Sequence, residues 1–292
     1  MRLNSRPARR AGLVGTVLAL VGLLAACGGS SDAGASATDD SSATEASADL
    51  GLLTPGVLVV GMNLQFEPEM YLDENNEPAG YDVDLLNELA DSLGLELQIQ
   101  NLDFNGLISG LQAKQFDMVS VGLTATDERK EVVDFSRAYV PYTTVLAVAA
   151  DDDTTATIDA YDTSSTIITA LQGSSGEQLA QETFPNATVS GFADQNSALL
   201  EVSTGRAQGS VIEDYILAQY IAANPDQVKK ADLAEPLEIG YGSWAVQKGN
   251  SGLVTALDSF LCEQQTSGGL AELYEANFGV SVDEFPEMPT GC

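Results

Sequence analysis

From Gly56 the chain alternates short apolar runs with stretches whose apolar residues recur at helical spacing, and the series restarts after Ala150. Residues 57–61 read as a buried strand. In 81–94, Val83, Leu86, Leu89, Ala90 and Leu93 form one helical stripe, with Asp82 and Asp84 as dipole partners in the first turn and Gly94 as a stop. Residues 95–99 alternate as a strand, 104–114 are helical, and 118–122 are again a strand. The second series runs strand 166–171, helix 176–183, strand 187–192, helix 195–204, strand 210–213 and helix 215–223. A strand at 240–248 leads back, and helices at 252–265 and 270–278 close the chain. Strands alternating with helices imply βαβ units and a largely parallel sheet. Two such series predict two α/β lobes of about a hundred residues each, an architecture that buries a small ligand in the crevice between them.

Charge and composition narrow the function. The chain carries 12 Lys+Arg against 43 Asp+Glu, a net charge of −31, and no histidine. It lacks the basic footprint of a nucleic-acid binder. Ser-His-Asp and Cys-His nucleophilic sites and His-ligated zinc are excluded. No G-x-x-x-x-G-K-[ST] occurs, so ATP use belongs to another chain. No cofactor and no metal are implied. Apolar residues make up 44 %, enough for a folded core, so the acidity belongs to the surface.

The N-terminus reads as an address. Arg2, Arg6, Arg9 and Arg10 precede an apolar run of 16 residues, 11–26, which is short for a membrane span and suits a secretory signal. Leu24-Ala25-Ala26-Cys27 resembles the bacterial lipobox, which implies cleavage before Cys27 and acylation of its thiol. Loss of residues 1–26 removes four arginines and no acid, leaving −35. Residues 28–50 are small, polar and acidic, a flexible tether whose reach is roughly 25 Å. The protein is thus expected outside the cytoplasm, lipid-anchored on the outer face of the cell membrane without spanning it. In that compartment Cys262 and Cys292 favour a structural disulfide. Asn186-Ala187-Thr188 fits the glycosylation pattern by chance, and Asp151-Asp152-Asp153 reads as a solvated loop.

Three segments carry a family resemblance. Gly80-Tyr81-Asp82-Val83-Asp84-Leu85 resembles a G-[FY]-D-x-D-[LI] entry to a first helix. Gly122-Leu123-Thr124-Ala125-Thr126-Asp127-Glu128-Arg129-Lys130, followed by Val133-Asp134-Phe135-Ser136, resembles G-x-T-x-T-x-x-R followed by D-F-S, and is the most specific. Leu171-Gln172-Gly173-Ser174-Ser175 is similar to a V-x-x-G-[ST]-[ST] turn, with Gly205-Arg206 and Glu213-Asp214 after it. Together they resemble the polar amino-acid-binding family of lipoproteins that serve ABC importers, over roughly residues 56–280. The resemblance implies a two-lobed, type II periplasmic-binding-protein-like fold with a hinge of two crossover strands. Lobe 1 would comprise 56–146 plus 240–292 and lobe 2 residues 147–239, after the signal peptide (1–26) and an acylated cysteine and tether (27–55). The implied protein is a monomer with a small amino acid and a membrane permease as partners.

Burying an amino-acid zwitterion costs several kcal/mol per charge unless each charge is paired. Arg129 offers a planar fork for the carboxylate. Ser174 and Ser175 add donors where a helix begins, Gly122 permits close backbone approach, and the Thr124 hydroxyl accepts or donates. Asp214, at the end of an apolar strand, suits the ammonium. Each also has a plain structural reading: Arg129 as an exposed helix cation like Lys130, Ser174 and Ser175 as a cap, Asp214 as the N-cap of the next helix. Thr126 caps its helix under either reading.

For the ligand side chain the resemblance implies aromatic walls at Phe66 and Phe104, which equally read as core residues. Asn63 stands where members for cationic ligands often carry an acid. Glu69 and Met70 after Pro68 depart from an aromatic-rich run, and Glu213 is placed to touch a side chain. With residues 1–26 removed only eight cations remain, and Arg129 is the one assigned to the ligand, which disfavours aspartate and glutamate. A neutral polar amino acid is the first expectation and a cationic one the second. Two rivals share the fold: a dehydratase, which needs a carboxylic acid in the cleft and has Glu213 to offer, and a ligand-sensing lipoprotein with the same pocket. The lobe bearing Arg129 and Thr124 and the lobe bearing Ser175 and Asp214 are expected to meet only across a bound ligand.

Overall fold

The computed structural model describes residues 50–292 apart from Ala156, Glu287 and Thr290. The segments expected to form the signal peptide, the acylation site at Cys27 and most of the tether lie outside the described residues. Residues 50–55, expected to end the tether, are held against the folded body. Leu50 accepts a hydrogen bond from Asn250 Nδ2 (3.0 Å), and Leu53 donates its N–H to the Asp117 carboxylate (2.7 Å). The same carboxylate takes the Val59 N–H (2.9 Å) and so ties the arriving segment to the first strand.

That strand is β1 (Val57–Met62). A small sheet of β2 (Gln65–Phe66), β3 (Met70–Leu72) and β4 (Pro78–Ala79) leads into α1 (Tyr81–Leu93). Then follow β5 (Glu96–Asn101), α2 (Leu107–Gln112), β6 (Met118–Thr124) and α3 (Asp127–Val132). The helix expected over 104–114 is thus a 3-10 turn at Phe104–Gly106 followed by the short α2. After the long β7 (Val133–Ala149) come α4 (Ile158–Tyr161), β8 (Ile167–Leu171), α5 (Ser175–Thr183) and β9 (Thr188–Phe192). The chain continues through α6 (Gln195–Ser203), β10 (Gly209–Glu213), α7 (Asp214–Ala223) and β11 (Val228–Lys230). It returns along β12 (Glu238–Gln247) and ends in α8 (Ser251–Ser267) and α9 (Gly269–Phe278).

The principal sheet runs β5-β1-β6-β12-β7-β10-β8-β9, with β11 also on β7. The expectation of a largely parallel sheet needs correction. Both ends are parallel, β5-β1-β6 and β10-β8-β9, but every pairing of β7 and β12 is antiparallel. The reason is connectivity, since β7 crosses from the first series to the second and β12 comes back beside it. At about 3.3 Å per residue the 17 residues of β7 span roughly 55 Å, enough to serve both ends. The larger core gathers Trp244, Tyr81, Tyr139, Phe116 and Leu58; a smaller one around Phe184, Ile168, Tyr161 and Val211 underlies β8 and β10. Cys262 and Cys292 are joined by a disulfide with Cα atoms 5.5 Å apart. No helix among the described residues is long and apolar enough to cross a membrane.

Candidate ligand-binding site

A cavity lies where β6, α3 and the Phe66 and Phe104 segments face β10 and the N-terminal turns of α5, α6 and α7. At one end stands Arg129. Thr126, the cap of α3, accepts the backbone N–H of Arg129 at 3.3 Å, so the expected cap is present and fixes where the side chain leaves the helix. Nη1 donates to the Thr124 carbonyl and Nη2 to the Gly173 carbonyl, each at 3.0 Å. The guanidinium also lies over the Phe104 ring, 5.9 Å from its centre. Burial lowers its pKa, opposed by Tyr142 and Glu128. Two of five N–H groups are thereby used, and three remain for an anion. Lys130, by contrast, is the exposed helix cation, paired with Asp127 at 3.2 Å.

Thr124, Gly122, Ser174 and Ser175 also line the cavity. The Thr124 hydroxyl shares hydrogen bonds with Ser175 (2.8 Å) and with Tyr142. Ser174 caps α5 by accepting the Glu177 N–H at 3.0 Å, so its structural reading holds while it faces the cavity. The two sides therefore touch directly, at Thr124–Ser175, at Arg129–Gly173 and through Asn105 Nδ2 to Gln172 (3.3 Å). Contact solely across a ligand was the expectation, but the hydroxyls and carbonyls are already within hydrogen-bond reach.

The acidic end differs from what the sequence suggested. Asp214 is not among the lining residues; it heads α7 and pairs on the surface with Lys230 at 3.0 Å. Its neighbour Glu213 lines the cavity instead, at the end of β10, held by Gln195 Nε2 at 3.0 Å. Burial, with a smaller contribution from Glu238, raises the Glu213 pKa. Asn63 is also outside the lining: its Nδ2 donates to the Leu102 carbonyl (2.7 Å) and its Oδ1 accepts from Gln65. Phe66 and Phe104 do line the cavity, edge to face with ring centres 6.5 Å apart.

The sequence reading missed Glu69 as a lining group. It is 4 % exposed and accepts the Tyr215 hydroxyl. Burial first, then Asp82, holds its carboxyl well above the usual range; Tyr215 only partly offsets this, and Glu213 adds to it. Gly122, at φ 55°, makes room for it, since a Cβ there would come within 2.5 Å of Glu69 Oε1. Asp82 requires a further correction. It is fully buried, accepts from Ser120 (2.5 Å) and Tyr139 (2.6 Å), and burial pushes its pKa up to about 7. Its side chain turns into the core because Trp244 Nε1 (2.8 Å to Ser120) and the Gly122 N–H (2.9 Å to Tyr139) complete a polar network there. Asp84 stays at the surface and accepts from Asn277 at 3.0 Å. The one signal for Glu69 was an acid where the motif has an aromatic.

Comparison with known proteins identifies the family and the fold. The model of bacterial extracellular solute-binding proteins, family 3, matches residues 58–280. The arginine-binding extracellular protein ArtP of Bacillus subtilis is 29 % identical over 221 residues, covering 74 % of this chain and 84 % of its own. A mutant of the arginine-binding protein ArgBP from T. maritima superposes with a TM-score of 0.70 at 31 % identity, covering 77 % of this chain and 96 % of its own. An ancestral amino acid-binding protein described as a precursor of cyclohexadienyl dehydratase gives 0.69 at 29 % identity, covering 76 % and 95 %. All three are named as binding proteins and not as enzymes. With its type II periplasmic-binding fold and an arginine-centred cavity, the chain belongs to the bacterial extracellular solute-binding proteins of family 3.

Proposed function

We propose that this protein captures one free amino acid in the cavity and delivers it to an ABC importer, anchored to the membrane through acylated Cys27 and acting as a monomer. Arg129 takes the α-carboxylate, assisted by Thr124, Ser174 and Ser175, and Glu213 takes the α-ammonium. The carrying observation is the guanidinium, which lines the cavity and is oriented by two backbone carbonyls that take only two of its five N–H groups. Lobe 1 (56–146 plus 240–292) and lobe 2 (147–239) hinge on β7 and β12. Direct contacts such as Thr124–Ser175 would then reinforce the closed form. The names of the relatives support an amino acid as the ligand class.

The test is a thermal-shift screen of the full-length chain, unfolded and refolded to strip carried-over ligand, against the twenty amino acids. A ligand at a hundred times its Kd adds about 2.7 kcal/mol, a Tm rise of roughly 5–10 °C at this size. The reading predicts such a rise with one or a few amino acids and its loss in Arg129→Ala. No rise with any of them contradicts it.

A further inference from the structure

We propose that Glu69 is a specificity-determining residue that binds the cationic end of a ligand side chain, so that the site selects amino acids bearing a guanidinium or an ammonium group. This rests on the amino-acid reading above and adds the class of side chain. The first observation is an unmet demand for hydrogen-bond donors. Glu69 Oε2 accepts from Tyr215, but Oε1 has no partner, although the residue is 4 % exposed and lines the cavity. Gln195, 5 % exposed and lining the same cavity, gives Nε2 to Glu213 and leaves Oε1 without a partner. Buried acceptors are normally satisfied, so two orphans in one cavity call for a ligand rich in N–H groups.

Charge is the second, independent observation. The lining offers Arg129 against Glu69 and Glu213. A zwitterion matched to Arg129 and Glu213 leaves Glu69 without a counterion; a ligand with one further positive charge balances all three. Among the described residues, none of the groups found to act on Glu69 is a cation. Facing it are Asp82 and Tyr81 on α1, Tyr139 on β7, Glu213 on β10, Tyr215 on α7 and Tyr274 on α9. Burial and the neighbouring acids favour the protonated form of Glu69 and a bound cation opposes them, so seating a cationic side chain there favours loss of a proton. Phe66 and Phe104 supply an apolar wall for the aliphatic stem. The expectation of a neutral ligand leaned on Asn63, but that amide is engaged by Leu102 and Gln65, and the acid stands at Glu69 instead.

The experiment is calorimetric titration of the stripped full-length protein and of Glu69→Gln with arginine, lysine, citrulline and glutamine. Wild type should bind arginine or lysine at least ~100-fold more tightly than citrulline, a neutral isostere of arginine, and the ratio should shrink to within ~5-fold in Glu69→Gln. Arginine titrated in two buffers of different ionisation heat should release more protons than citrulline, and its affinity should rise more steeply with pH, because both ligands engage Glu213 but only arginine engages Glu69. If the variant does not fold, the wild-type ratio and the proton release decide. Citrulline or glutamine binding wild type as tightly as arginine and lysine, a ratio that survives Glu69→Gln, or binding of arginine with no proton release beyond that of citrulline each overturns the proposal. Glutamine bound in an Arg129-dependent way with no preference for cations sinks this inference alone; no binding by any amino acid sinks the parent reading as well.

Discussion

The two ends of the cavity solve opposite problems. At the cationic end, Arg129 is held by the carbonyls of Thr124 and Gly173 and by the cap of its own helix, so its fork is oriented before an anion arrives. At the acidic end, Glu69 and Gln195 each keep an oxygen without a partner, and burial raises the pKa values of Glu69 and Glu213. A preorganised end recognises what every amino acid shares, its carboxylate, at little cost in reorganisation. An end with unmet acceptors discriminates, because a ligand lacking the right donors leaves them orphaned. On the proposed reading, anchoring and selection fall to different sides of one cavity.

Perturbing the anchor should do the most damage. Arg129→Ala should weaken binding of every ligand by ~1,000-fold or more, measured by calorimetry, while circular dichroism shows an unchanged fold. Glu213→Gln should cost ~100-fold by removing the charge opposite the ammonium. A loss as large as that of Arg129→Ala would blur the division between the two ends.

Asp82, beneath the acidic end, makes the comparison sensitive to pH. Its ordinary pKa of 3.8 is raised to about 7 in the fold, so between those values the folded state holds more protons than the unfolded one. Stability from this group therefore falls as pH rises through that window. Tm should be higher near pH 5 than near pH 8 by about 5 °C, and Asp82→Asn should flatten the slope. Asp134, held below its usual range by Lys248, opposes this only in more acidic solution, where stability is lost as pH falls through its folded pKa. A Tm that climbs steadily towards pH 8 would show that the buried network is not charged at cost. Ser175→Ala should weaken binding by ~3–10-fold, the scale of one neutral hydrogen bond. Asp214→Asn should change affinity less than ~3-fold, because its carboxylate faces Lys230 at the surface.

The cationic end was legible in the sequence and the acidic end was not. Arg129, Thr126, Thr124 and Gly122 lie within eight consecutive residues at the end of β6 and the start of α3, so local capping and strand geometry place them together. Glu69 faces inward for reasons supplied by distant segments: Gly122 leaves space and Tyr215, 146 residues away, donates a hydrogen bond. The choice between Glu213 and Asp214 turned on one residue at a strand end. The four residues before Glu213 in β10 are all buried, so no alternation in the sequence shows which acid points into the cavity. The helices were readable from their apolar stripes. The antiparallel centre of the sheet was not, because the apolar run of β7 carries no mark of its partners.

The central claim is that a preorganised Arg129 anchors the ligand carboxylate. Its most direct test compares, by calorimetric titration of the wild-type protein, the best amino acid from the screen with the same compound as its carboxamide. The account predicts that the carboxamide loses ~1,000-fold or more in affinity. Equal binding of the two would contradict it and would return Arg129 to the role of a structural bridge between Thr124 and Gly173.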